Sequence, residues 1–470
     1  MRIRPVLLFT LLSLTTASCV KQIDLSDHTD YNKAGYLYPF GQEASQMVAE
    51  ITIRTNTPIT QDIKTEIPPL KYNKSWLFML TQDDCKQSAY CCTWAAIHGK
   101  PLSPGHYYDA AHLLYGDLPP DAYYLNKTLG STDGAGNEVR FSFTTTLMPE
   151  AEWMNAPAVV AKKQTKDDFR FKMKSGLIWN NVREMLNYGV GIAFHDVQAA
   201  DVTKPALILK HYGIVQDSIR KRLSGRGCKT LAEPNGNKNY VTAALSYSSI
   251  QTMTAQNGTE ILYPFQVESQ LSKTLINRVF NDNPSIFKGV INDELKRPKE
   301  ERKAIYIGVH NTDIGWVNLL SWLNDTYGKD GDDSMWAPSQ GEYYEYNYYR
   351  LHSTQKVIKV DENTWKISIT LPSEEYFYYP SVTVNLQGIN KEQVASIHTN
   401  EAISGLSYAD FEEGMMINID CHRFLVQHAT EFVERYEKDK SNKSNRADAL
   451  YFVGMLKESA AKTSLLNRIQ

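Results

Sequence analysis

The chain has 470 residues, long enough for two or three domains, and 42% of them are hydrophobic, enough for a substantial core. Its 50 Lys and Arg against 53 Asp and Glu give a net charge of −3, and no basic stretch is dense enough to suggest a nucleic-acid partner. Besides Cys19, the five cysteines Cys85, Cys91, Cys92, Cys228 and Cys421 are spaced like neither a disulfide framework nor a paired-cysteine metal knot. Buried thiols are the simpler reading, with a Cys91–Cys92 or Cys85–Cys228 bridge left open. The 28 tyrosines suit either sugar stacking or ordinary packing of amphipathic side chains.

At the N-terminus, Arg2 and Arg4 precede the apolar run Val6–Leu14, then Thr15, Thr16, Ala17, Ser18 and Cys19. A run this short falls below the roughly 20 residues a membrane span needs; a basic head, apolar core and small residues are the layout of a secretion signal. The end of this segment resembles the lipobox of bacterial lipoproteins, with Thr16 where a larger aliphatic residue is usual. The resemblance implies removal of residues 1–18, acylation of Cys19, and an exported protein held to a bacterial membrane by lipid. Residues 19–70 then read as a polar tether followed by one or two N-terminal strands, and no later stretch is apolar enough to span a bilayer.

Between about 71 and 352, short apolar runs alternate with helical periodicity. Trp76–Leu80, Phe141–Thr146, Val190–Phe194, Lys229–Ala232 and Ala304–Val309 read as strands. Leu177–Leu186, Val267–Phe280 and Trp316–Leu323 read as helices. Strands alternating with helices indicate parallel βα units, and their number suggests a barrel. From 353 to 470 the pattern changes. Val357–Val360 and Trp365–Thr370 flank the turn residues Asp361-Glu362-Asn363, Ser381–Leu386 and Met415–Ile419 alternate, and helices follow over His422–Tyr436 and Arg446–Ala460. This predicts a small antiparallel β module with terminal helices.

In a parallel barrel, chemistry gathers at the C-terminal strand ends, and three segments fall there. Asp83-Asp84 follows Trp76–Leu80; adjacent carboxylates form a solvated turn or divide labour between metal binding and proton removal. His195 follows Val190–Phe194 and suits either a metal or a loop hydrogen bond. His310 follows Ala304–Val309 and could protonate a leaving group, while Asn311 or Thr312 could cap the next helix. Between them, Pro234-Asn235-Gly236 signals a tight turn able to present N–H groups to an oxyanion.

Taken in order, Thr81-Gln82-Asp83-Asp84-Cys85, His195-Asp196-Val197-Gln198-Ala199, Glu233-Pro234-Asn235-Gly236 and Val309-His310 resemble the TFDDG, HSxxH, RPPYG and LH motifs of the polysaccharide deacetylases. The resemblance implies a distorted (β/α) barrel and metal-dependent removal of acetyl groups from a polysaccharide or oligosaccharide. Asp83 would be the base, His310 the acid, Asp84 and His195 ligands to a divalent metal, zinc first among them, and Asn235 the oxyanion donor. Gln82 and Cys85 replace the usual Phe and Gly. Ala199 stands where the second metal histidine belongs, and Ala232 where the arginine that orients the base belongs. The loop after His195 offers Asp196 and Asp201 in place of the missing histidine; Asp196 adjoins His195 and could point away, so Asp201 is the expected third ligand. The alternative is a catalytically degenerate barrel that binds glycan at the cell surface.

Overall fold

A computed structural model describes residues 20–23, 46–156, 158–161, 168–172, 176–197 and 203–470. Cys19, Ala199 and Asp201 lie outside the described residues. Residues 20–23 form a short strand paired antiparallel with Ala158–Ala161; the strands that enter the larger sheets begin with β1 (Met47–Thr55) and β2 (Lys64–Glu66). A barrel follows, built from β3 (Trp76–Gln82), β4 (Thr144–Leu147), β5 (Gly191–Phe194), β6 (Thr230–Ala232), β7 (Thr252–Gln256), β8 (Leu275–Phe280) and β9 (Ile305–Val309). These strands pair in parallel in chain order, and β9 pairs back onto β3, with Ile305 opposite Phe78 and Val309 opposite Gln82. The barrel is therefore closed and seven-stranded.

Burial on both faces explains the apolar runs: every residue of β3, β5 and β9 is buried. Helices α1 (Trp179–Asn187), α2 (Pro205–Arg222), α3 (Lys238–Leu245), α4 (Phe287–Leu295) and α5 (Ile314–Tyr327) surround it. The helix expected over 267–280 is not there. Its place is taken by β8, with buried Ile276 and Arg278 on one face and half-exposed Val279 on the other. The apolar spacing that imitated a helical face belongs to a turn region and then a strand, and the pairing of β8 between β7 and β9 overrides it.

Helix α6 (Gln340–His352) leads into β10 (Thr354–Lys359), β11 (Thr364–Leu371), β12 (Ser381–Gln387), β13 (Val394–Thr399), β14 (Gly405–Phe411) and β15 (Gly414–Asp420). Two antiparallel sheets result, ordered β10-β11-β1-β13 and β14-β15-β12-β2. The N-terminal strands are thus built into the C-terminal sheets. Burial alternates strictly along β11, and Ile51, Ile53, Ile367, Val384 and Ile417 share a core with Tyr343, Tyr346 and Tyr349 of α6. These tyrosines are packing residues between barrel and sheets.

Helices α7 (Leu425–Lys438), α8 (Lys443–Gly454) and α9 (Ala460–Ile469) close the chain. The single helix expected over 446–460 stops after Gly454, and Ser459 caps the next by accepting from the Lys462 N–H. Cys85, Cys91, Cys92, Cys228 and Cys421 are free thiols. No described helix is long and apolar enough to cross a membrane.

Candidate active site

Asp83 follows β3 directly and continues its ladder, its N–H donating to the Val309 carbonyl at 2.8 Å. Its carboxylate is buried and gripped in bidentate fashion by Arg278 of β8, through Nη1 to Oδ1 at 2.8 Å and Nη2 to Oδ2 at 2.6 Å. Two parallel charge-assisted bonds fix both the position and the rotation of a carboxylate. The arginine missing at Ala232 is thus supplied from another strand. Gly308 of β9 makes room for it: a Cβ there would lie 2.6 Å from Phe280 and 3.1 Å from the Arg278 side chain.

Asp84 and Cys85 turn the chain sharply, both with positive φ (60° and 51°). Left-handed backbone at consecutive non-glycine residues is costly and persists where the surroundings enforce it. Here the Cys85 N–H donates to Thr146 Oγ1 at 3.1 Å, and the Cys85 carbonyl accepts from the Leu177 N–H at 2.8 Å. The turn aims Asp84 across the mouth, with Oδ1 at 3.3 Å from His195 Nε2 and Oδ2 at 3.3 Å from Lys86 Nζ. The hydrogen bond from His195 outweighs partial burial and, with the charges of His195, Lys86 and His310, holds the Asp84 carboxyl well below the usual carboxylate range.

His195 is buried, and its Nδ1 lies 2.8 Å from the Ala232 carbonyl. A carbonyl only accepts, so Nδ1 carries the proton and Nε2 faces Asp84. Burial alone would lower this imidazole; the charges of Asp83 and Asp196, the bond to Asp84 and the bond to Ala232 hold it above its ordinary value. Asp84, His195 and Asp196 offer donor atoms all within 4.8 Å of one another. Asp196, adjacent to His195, therefore turns toward the cluster. Two carboxylates, and an imidazole whose Nδ1–H is held by a backbone carbonyl, form a donor set that suits a divalent cation.

His310 sits across the mouth, half-exposed, with Nε2 at 3.9 Å from Asp84 Oδ2. Asp282, two residues beyond β8, holds it twice: Oδ1 accepts from the His310 N–H at 2.7 Å, and Oδ2 lies 3.0 Å from Nδ1. Partial burial would raise the Asp282 carboxyl, but its hydrogen bonds with His310 keep it low. Phe280 meets the imidazole ring at 4.5 Å in an edge-on contact. The cap of α5 is Asp313, which accepts from the Gly315 and Trp316 N–H groups, rather than Asn311 or Thr312.

Buried Gln82 ties the two sides together. Its Nε2 donates to Ser88 Oγ at 2.8 Å, and to Thr312 Oγ1 and the His310 carbonyl at 3.3 Å; its Oε1 accepts from Thr93 at 2.9 Å. At the end of β6, Pro234 to Asn237 form a tight turn in which Asn235 and Gly236 have φ of 53° and 69° and the Asn237 N–H reaches the Pro234 carbonyl at 2.9 Å. Asn235 is exposed there, and Asn237 caps α3.

Asp83, Asp84, His195 and His310 therefore meet at one barrel mouth. Arg278, Asp282 and Asp196 complete the cluster. The helix-like apolar spacing over 267–280 masks Arg278 and Asp282 in the sequence, because an Arg inside a strand and an acid just past its end mark a barrel mouth only once the strand is known.

No curated protein matches the sequence. The model of the family described as "Putative polysaccharide deacetylase" matches residues 49–470, so it takes in the two sheets and the terminal helices as well as the barrel. The chain belongs to this polysaccharide deacetylase family.

Proposed function

We propose that the protein is an exported, metal-dependent hydrolase that removes acetyl groups from a glycan. The observation that carries this reading is the division of labour at the mouth. One carboxylate, Asp83, is clamped by Arg278, and its neighbour Asp84 is turned toward His195 and Asp196. Asp84, His195 and Asp196 would hold the cation, while Asp201, the third ligand expected from the sequence, lies outside the described residues. A divalent cation there supplies Lewis-acid polarisation of the acetyl carbonyl and makes water more acidic. Asp83, fixed by Arg278, accepts a proton from the attacking water. His310, its ring set by Asp282, delivers a proton from Nε2 to the departing amine or hydroxyl. A backbone N–H of the turn at Asn235 donates to the oxyanion. The products are acetate and a deacetylated sugar.

One feature favours a binding-only barrel: the Lys86 ammonium lies 3.3 Å from Asp84 Oδ2 and places a fixed positive charge against a ligand carboxylate. Acetate release separates the two readings. Wild type given N-acetylated oligosaccharides should release acetate, and Asp83→Asn and His310→Ala should each lower turnover by about 10²–10⁴-fold. No acetate from wild type, with oligosaccharide still bound, would leave the binding-only reading.

A further inference from the structure

A groove of about 300 Å³ lies along the segment that follows His310, between the segment 102–107, Tyr123 and the first turn of α5. Pro104 and Ile314 are exposed in it, Tyr107 and Tyr123 are half-buried, and Thr312 and Asp313, just beyond His310, form its near edge.

Both walls are set in advance. On the far side, Asp121 accepts from Ser103 Oγ and from the Gly105 N–H, and lies 3.0 Å from the His106 ring. Leu102 and Tyr123 exchange backbone hydrogen bonds at 2.7 and 2.8 Å. On the near side, Thr312 Oγ1 bonds Thr93 at 2.8 Å and Gln82 at 3.3 Å, and the Thr312 N–H donates to Ser88. Gln82 also bonds the His310 carbonyl, so this wall and the proposed acid hang on one network. A groove formed before binding loses little entropy when filled.

Its chemistry is mixed: two tyrosine rings with hydroxyls, the aliphatic side chains of Leu102, Ile314 and Val317, the thiols Cys91 and Cys92, and the exposed Asp313 at the rim. Flat rings beside hydrogen-bonding groups match a pyranose, whose C–H face is apolar and whose edge is polar. From this we infer that the groove is a glycan subsite, receiving the sugar units next to the one deacetylated at the barrel mouth, with Tyr107, Tyr123 and Ile314 as its specificity-determining residues. The inference rests on the deacetylase reading for the direction of the chain, but its binding readout does not need turnover.

The test is calorimetric titration of the full chain with N-acetylhexosamine oligosaccharides of two to six units, with acetate measured on the same samples. Wild type should bind more tightly as the chain lengthens. Tyr123→Ala should lose that gain, by about tenfold, and Tyr123→Phe should keep it. Ile314→Glu guards against misfolding, because an acid suits the first turn of a helix. It should melt as wild type does and still lose the gain. Equal affinities in wild type and variants, or no oligosaccharide bound by wild type, would overturn the subsite. Length-dependent binding that the variants lose, without acetate from wild type, would keep the subsite and remove the enzyme.

Discussion

Gly308 is one residue before the end of β9 and carries no functional group, yet the geometry of the base depends on it. A Cβ would meet Phe280 at 2.6 Å and the Arg278 side chain at 3.1 Å. The barrel wall cannot yield easily there, because Gly308 pairs with Thr81 on one side and Phe280 on the other. Arg278, and with it Asp83, would have to move. Displacements near 1 Å at a reacting group cost about 10²-fold in rate. Gly308→Ala should therefore lower kcat by about that factor while metal content stays unchanged. Steady-state kinetics beside elemental analysis checks this, and unaltered kcat would show that Arg278 tolerates the displacement.

At the scale of elements, α8 is fastened to the barrel by one buried carboxylate. Asp448 accepts from Lys100 Nζ at 2.5 Å, Arg140 Nη1 at 2.6 Å and the Tyr188 hydroxyl at 2.7 Å. Burial raises its carboxyl, but the charges of Lys100 and Arg140 win and push it down to about 2 from 3.8. The folded-state value is the lower one, so the stabilisation is complete above about 3.8 and is lost as pH falls toward 2. It amounts to about 2 kcal/mol. Asp448→Asn should destabilise the fold by about 3 kcal/mol at neutral pH, since Lys100 stays buried without its counter-charge and Arg140 keeps only Glu138, at 3.5 Å. Its unfolding should also lose part of the wild-type dependence on pH between 4 and 2. Urea unfolding at several pH values measures both effects, and a variant as stable as wild type would contradict the fastening role. Elements buried on both faces, such as β3 and β9, and those with strict alternation, such as β11, are legible in the sequence because burial leaves a periodic mark. The strand β7 is not. Its Thr252 and Thr254 sit inside the barrel only because Gln340 donates to Thr252 Oγ1 and Thr254 donates to the Ile276 carbonyl, partners distant in sequence. With β7 and β8 hidden, Arg278 and Asp282 were hidden too, whereas Asp83, Asp84, His195 and His310 stood out because each follows a legible strand.

For the whole molecule, β1 lies between β11 and β13, so the chain returns to its own beginning to complete the sheets. Residues 20–23 pair with Ala158–Ala161, which keeps the segment after Cys19 near the barrel. The proposed lipid anchor predicts that Cys19→Ala leaves the folded domain intact and moves the protein from the membrane fraction to the soluble one; retention in the membrane fraction would contradict it. The central claim is that the mouth holds a divalent cation for acetyl hydrolysis, and elemental analysis of protein purified without chelator tests it most directly. The account predicts one equivalent of metal in wild type, lost in Asp84→Ala and His195→Ala while the fold persists. Metal-free wild type whose melting temperature does not rise with added zinc, cobalt or nickel would contradict it.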